Sequence, residues 1–238
     1  MIQLISYDTL GHANHGWLNA RHHFSFANYY DPERMGFGTL RVVNDDVIAA
    51  GTGFGTHPHN NMEIITYVRQ GGITHRDSLG NEGRTGAGDV QVMSAGTGVA
   101  HSEYNRGSEA TNLYQIWIEP AKRNVAPRWE ARVFPEAQVE DKLVPLASGR
   151  EADLEQGALL IHQDATISGG RLAEGRSIEH ELKYLGYLLV SHGSVDVNGQ
   201  KASKGDALAI SDVSRLTITA DSDSEVLLID VPAAVQPA

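Results

Sequence analysis

Two short strings constrain this chain more than anything else in it: Gly-Thr-His-Pro-His, ending at His59, and Ala-His-Ser-Glu-Tyr, beginning at Ala100. Each sets two metal-ligating side chains two residues apart, His57 with His59 and His101 with Glu103. In an extended strand, residues i and i+2 point to the same face. Each pair can therefore aim two donors at one point. Pro58, inside the first pair, indicates an edge or a bulge rather than a regular central strand. One His on a strand is usually structural or superficial. Two such pairs with glycine turns between them read instead as one metal site built by two strands. Three imidazoles and a carboxylate form a borderline-to-hard ligand set that suits Fe, Mn, Co, Ni, Cu or Zn.

The rest of the chain has the grammar of short strands and tight turns. Glycine stands at 25 of 238 positions, above the usual ~7 per cent. Strands are expected at 39–43, 47–50, 64–68, 90–93 and 113–118, with Asn44, Asp45 and Asp46 as a turn between the first two. His75 and Arg76 read as a hairpin tip or rim. The aromatic residues between Trp17 and Tyr30 read as core, with Phe24, Phe26 or Tyr29 as an alternative roof for a pocket. His12, His15, His22 and His23 are assigned to structural or supporting roles. Prolines at 120, 127, 135 and 145 mark a surface stretch between two units. The second half repeats the strand-turn pattern, with Asn198-Gly199 as a two-residue hairpin turn and Lys204-Gly-Asp206 echoing Gly88-Asp89. The halves therefore read as duplicated β-barrels. The expected division is 1–132 as a first barrel with the metal, 133–145 as linker, and 146–238 as a second barrel without paired histidines or a metal.

An octahedral ion held by three His and one Glu keeps two positions open, an extension of the two-His, one-carboxylate logic of non-haem iron oxygenases. One divalent transition metal ion per chain is expected, Fe(II) foremost, with Mn, Co, Ni, Cu or Zn as alternatives. Zinc alone cannot carry electrons and would favour hydrolysis or a structural role.

Gly51, His57, His59 and Glu63 match the first cupin motif, G-x5-H-x-H-x3-E. In the second motif Gly83 and Gly88 bracket a turn, Ala87 replaces the usual Pro, and His101 supplies the His. Longer strings are more specific. Gly11-His-Ala-Asn-His-Gly-Trp17, His23-Phe-Ser-Phe-Ala-Asn-Tyr29 and Val92-Met-Ser-Ala-Gly-Thr-Gly-Val-Ala-His-Ser-Glu103 resemble the pirin family, nearest its bacterial branch of pirin-like quercetin 2,3-dioxygenases. The likeness runs from near residue 10 to about residue 120 and continues more weakly through His162-Gln-Asp164. It implies an all-β bicupin, two cupin-type barrels in tandem, with the metal in the first. It also implies a flavonol and O2 as substrates, bound and opened with loss of carbon monoxide. Glu103 is then both metal ligand and acceptor of the flavonol 3-hydroxyl proton. Glu63 shares face parity with His57 and His59 if the strand is regular, and could be a fifth ligand, a partner behind the ligands or a base. It is often a ligand in the general cupin pattern, and with Glu103 as ligand it is the reserve base. The alternative reading within the same family is a metal-dependent, redox-sensitive regulatory protein that binds a protein partner such as a transcription factor.

The formal net charge of −11 disfavours direct contact with nucleic acid. No cysteine is present, so disulfides and thiolate chemistry are excluded. No basic, apolar leader and no run of about 18 apolar residues occurs, so no membrane span is expected and a cytoplasmic protein is.

Overall fold

Alternation of apolar and polar residues runs through both halves, and in the computed structural model, which describes residues 1–134 and 142–234, it folds into four antiparallel-dominated sheets. The strands of the first half are β1 (Ile2–Ile5), β2 (Gly11–Asn14), β3 (Leu18–His22), β4 (Leu40–Ile48), β5 (Gly53–His59), β6 (Glu63–Gln70), β7 (Gly72–Asp77), β8 (Glu82–Gly86), β9 (Val90–Ser94), β10 (Val99–Tyr104), β11 (Thr111–Ile118) and β12 (Arg128–Arg132). Those of the second are β13 (Val144–Ser148), β14 (Leu159–Leu160), β15 (Thr166–Leu172), β16 (Ser177–Glu181), β17 (Leu185–His192), β18 (Ser194–Val197), β19 (Gln200–Ser203), β20 (Ala207–Ile210), β21 (Arg215–Ala220) and β22 (Ser224–Val231). Among the described residues, helix is confined to short pieces at Tyr7–Thr9 and Glu151–Glu155. No helix among the described residues is long and apolar enough to cross a membrane.

The halves match strand for strand. One pairs a seven-stranded sheet, β12-β9-β6-β11-β4-β3-β2, with a four-stranded sheet, β5-β10-β7-β8. The other pairs β1-β20-β17-β22-β15-β13-β14 with β16-β21-β18-β19. This is the expected duplication, a two-barrel cupin fold. The sheets do not follow chain order throughout, however. Strand β1 lies at the edge of the second half's large sheet, where Ile2 stands opposite Ile210 and Ile5 opposite Ala207. Much of the expected linker, residues 135–141, lies outside the described residues, and β13 already begins at Val144.

The two large sheets share one core. Ile65, Val92, Tyr114 and Ile116 from the first half cluster with Ile167, Tyr187, Leu189, Leu227 and Ile229 from the second. Polar ties cross the same junction. Tyr67 donates its hydroxyl to Glu225 Oε1 at 2.8 Å, and Glu225 also accepts from Ser191 and Arg171. Each of these hydrogen bonds favours the ionised carboxyl. Together they outweigh the burial that opposes it, and the Glu225 pKa lies below the ordinary value.

One expectation is corrected here. Asn44, Asp45 and Asp46 form no turn; they are the middle of β4, and all three are buried. Turn-forming residue types lose to context because each has a partner or a purpose. Asp45 faces the core side and pairs with Arg69, whose guanidinium also lies 4.2 Å from the Tyr114 ring centre. Asn44 and Asp46 face the other way, into a cavity.

Candidate metal centre

That cavity, about 260 Å³, lies within the first barrel. The period-two alternation of strands supplies its walls. Strand β3 contributes Leu18, Ala20 and His22, β4 contributes Asn44 and Asp46, and β11 contributes Gln115 and Trp117. From the small sheet come Phe54, His57 and His59 on β5 and His101 and Glu103 on β10.

Strands β5 and β10 pair so that His57 stands opposite His101 and Val99 opposite His59, with a bulge between His101 and Glu103. Pro58 is accommodated in this strand, which lies at the edge of the four-stranded sheet. One ligand nitrogen from each of His57, His59 and His101 falls in a group in which all lie within 4.8 Å of one another. The ring centres are 4.5–5.0 Å apart.

The nitrogens are arranged for an ion. Nδ1 of His57 lies 2.7 Å from the Gly55 carbonyl, which can only accept, so Nδ1 carries the hydrogen and Nε2 keeps its lone pair. Nε2 of His59 is buried without a hydrogen-bond partner. Burial, reinforced by the neighbouring imidazoles, holds His101 down to about 3 and His59 to about 4, so both are neutral at pH 7. Uncharged, converging and partly orphaned imidazoles are what a divalent ion requires. The residues present fit the expected metal.

Glu103 lines the same cavity but stands outside the group of three converging nitrogens. Its Oε2 accepts from Gln115 Nε2 at 2.8 Å, and its Oε1 accepts from Gln91 Nε2 at 2.9 Å and from Thr66 Oγ1 at 3.4 Å. Burial raises this carboxyl to about 7 even against those donors. Asp46 is raised further, to about 8, by burial and then by Asp45 and Glu103.

Glu63 is placed differently. It is fully buried, its Oε2 accepts from Ser94 Oγ at 2.8 Å, and Ile64, not Glu63, lines the cavity. Residues 60–62 turn the chain between β5 and β6, with Asn61 at φ +44°, so face parity does not carry from His59 to Glu63. Of the aromatic residues near the start, Phe26 lines the cavity, edge-on to Trp117 at 5.5 Å, while Phe24 packs into the shared core. His22 faces the cavity and bonds Asn44 at 2.8 Å, whereas His23 bonds the Tyr187 hydroxyl at 2.9 Å on the other side. His75, expected at a rim, is fully buried behind His101.

The second barrel has a cavity of similar size, about 260 Å³, in which Asp153 and Asp230 are held by the protein's own donors. Asp153 accepts from Ser148 and Thr166, and Asp230 accepts from Arg150 and from the backbone amides of Lys183 and Tyr184.

Comparison with known proteins agrees with this architecture. Residues 5–118 match the family model described as Pirin, and residues 146–231 match the one described as Quercetinase C-terminal cupin domain. A Pseudomonas aeruginosa protein, named provisionally as a quercetin 2,3-dioxygenase, is 58% identical over 97% of this chain and 100% of its own length. The quercetin 2,3-dioxygenase of Escherichia coli K12 is 49% identical over 98% of this chain and 99% of its own. The crystal structure of the bacterial pirin YhhW from Escherichia coli, in complex with nickel(II), superposes with a TM-score of 0.91 at 48% identity, covering 98% of this chain and 100% of that one.

Proposed function

The chain belongs to the pirin family, and from that premise we propose that it is a metal-dependent dioxygenase that opens flavonols such as quercetin, using O2 and releasing carbon monoxide. One observation carries this reading: three imidazoles converge within 4.8 Å at a cavity with mostly apolar walls that also holds a buried carboxyl group. His57, His59 and His101 would hold the ion, and Glu103 is assigned as the fourth donor. A redox-active ion such as Fe(II) or nickel(II) supplies, when bound, an electron path between a deprotonated enol and O2.

The chain's own groups do the rest. Glu103, held by Gln91, Gln115 and Thr66 against the cavity, would accept the 3-hydroxyl proton of the flavonol. Phe26, Phe54, Leu18 and Trp117 give flat apolar surfaces that seat an aromatic ring system and exclude water. The cavity is near the lower end of ligand pockets, about 300–1,000 Å³, which suits one compact, flat molecule. On this reading Glu63 acts through strand packing and not on the substrate.

The test compares wild type with His101→Ala, each loaded with Fe, Mn, Co, Ni or Cu and given quercetin in air. Loss of flavonol absorbance should track oxygen uptake and carbon monoxide release, and should vanish in the variant. Turnover no faster than free metal would end the enzyme reading and leave that of a metal-dependent regulatory protein with a protein partner.

A further inference from the structure

Behind His101, on the side away from His57, lies a second imidazole that the proposed reaction does not use. His75 is fully buried in β7, and its Nδ1 lies 3.4 Å from Nδ1 of His101. Its other nitrogen, Nε2, lies 2.8 Å from Oδ2 of Asp77. Asp77 is itself fixed: Oδ1 accepts from the backbone amides of Leu79 and Asn81, and Oδ2 accepts from the Asn81 side-chain amide. The His75 ring is clamped flat against Trp129, with centres 4.8 Å apart and planes 8° apart. That clamp needs Gly83, which pairs opposite His75; a Cβ there would meet the Trp129 ring at 2.3 Å. Four elements therefore hold one buried ring in one orientation.

We propose that Asp77 and His75 form a positioning relay that sets the tautomer and the orientation of His101, so that His101 presents an Nε2 lone pair to the ion. The logic is donor and acceptor counting. An ionised carboxylate only accepts, so Asp77 takes the hydrogen on His75 Nε2. Nδ1 of His75 is then a lone pair. The facing Nδ1 of His101 must donate to it, because two lone pairs or two hydrogens cannot share that gap. A hydrogen on Nδ1 of His101 leaves Nε2 free for the metal. His57 reaches the same state more directly, through the Gly55 carbonyl. Outer partners of this kind fix ring orientation and raise ligand basicity.

The inference rests on the metal centre proposed above but not on the flavonol as substrate, so its test reads metal and tautomer rather than turnover. Metal-stripped wild-type protein labelled with 15N-histidine should show, in long-range 15N–1H spectra, His101 protonated at Nδ1 and His75 at Nε2. His101 protonated at Nε2 would overturn the relay. Nickel(II) alone, titrated by calorimetry, gives a second readout. His75→Phe keeps a ring on Trp129 but removes the acceptor, and should weaken nickel binding about 10–100-fold. His75→Asn, which returns an acceptor near the Nδ1 position, should recover most of that loss. Unaltered affinity in His75→Phe, or equal losses in both variants, would overturn the proposal. Failure of wild type to bind nickel at all would instead sink the metal-centre reading.

Discussion

His57 and His101 stand directly opposite each other on adjacent antiparallel strands, with ring centres 4.5 Å apart. Two candidate ligands far apart in sequence are brought face to face through strand register alone. The site's first requirement is thus the β5–β10 ladder, and a one-residue slip would turn every ligand on one strand to the wrong face.

Removing one imidazole should cost more than removing an outer partner, for which losses of about 10–100-fold are typical. His57→Ala, His59→Ala and His101→Ala are each expected to lose nickel(II) affinity beyond that range while keeping the circular dichroism of the wild type. Calorimetric titration checks this; wild-type affinity in any one of them removes that residue from the ligand set.

Gln115→Leu removes the amide that holds Oε2 of Glu103. A buried acceptor left without its donor costs about 1–3 kcal/mol. Urea melts of metal-stripped protein should show that loss. Gln115→Glu should be worse at neutral pH, since it sets two acids together.

Asp46→Asn should stabilise the metal-stripped protein, and more so as pH rises. The folded carboxyl is held at about 8, far above its ordinary value of 3.8, so the unfolded chain releases its proton first. Stability from this residue is complete below about 4 and is lost as pH rises toward about 8. An amide removes the titration, and the gain at pH 8 should be on the order of a few kcal/mol. Melting temperatures at pH 5 and pH 8 test it; a gain that shrinks with pH would contradict the sign.

Tyr67→Phe severs a hydrogen bond between the barrels, to a carboxylate whose pKa lies below its ordinary value. A loss of about 1.5–3 kcal/mol is expected at pH 7. The contribution of Glu225 is present above its unfolded pKa and is lost as pH falls through the folded one. The penalty in the variant should therefore shrink in acid. Chemical melts at pH 7 and pH 4 give the comparison.

Phe26→Ala removes a face of the cavity without touching the histidines. Burial of a phenylalanine side chain is worth about 1.5–3 kcal/mol, so KM for quercetin should rise about tenfold or more while kcat changes less. A fall in kcat alone would mean that Phe26 positions the reacting ring rather than binding it.

Much of this was legible in the sequence because its signals are local. Paired histidines two apart, glycine-aspartate turns and the Asn198-Gly199 hairpin each specify geometry within a few residues. Asn198 and Gly199 indeed have φ of +50° and +88°. What escaped is what only tertiary context decides. Asn44 and Asp46 look like a turn until the cavity they line is known. His75 looks like a rim residue until Trp129, from a strand more than fifty residues on, is laid across it. Face parity from His59 to Glu63 fails because the intervening turn resets it. Buried polar residues inside a strand are the signal that strand propensity discards.

The pairing of β1 with β20 bears on how the chain is made. Residues 2–5 are made about 200 residues ahead of residues 207–210, their ladder partner among the described residues. At about 5–20 residues per second, synthesis leaves that strand waiting roughly 10–40 seconds for its place. The first barrel can close during this interval, since its large sheet draws on β2 to β12. The second cannot finish until two segments about 200 residues apart meet. Closing so long a loop is a late event, which makes the second barrel the part that needs residues from both halves.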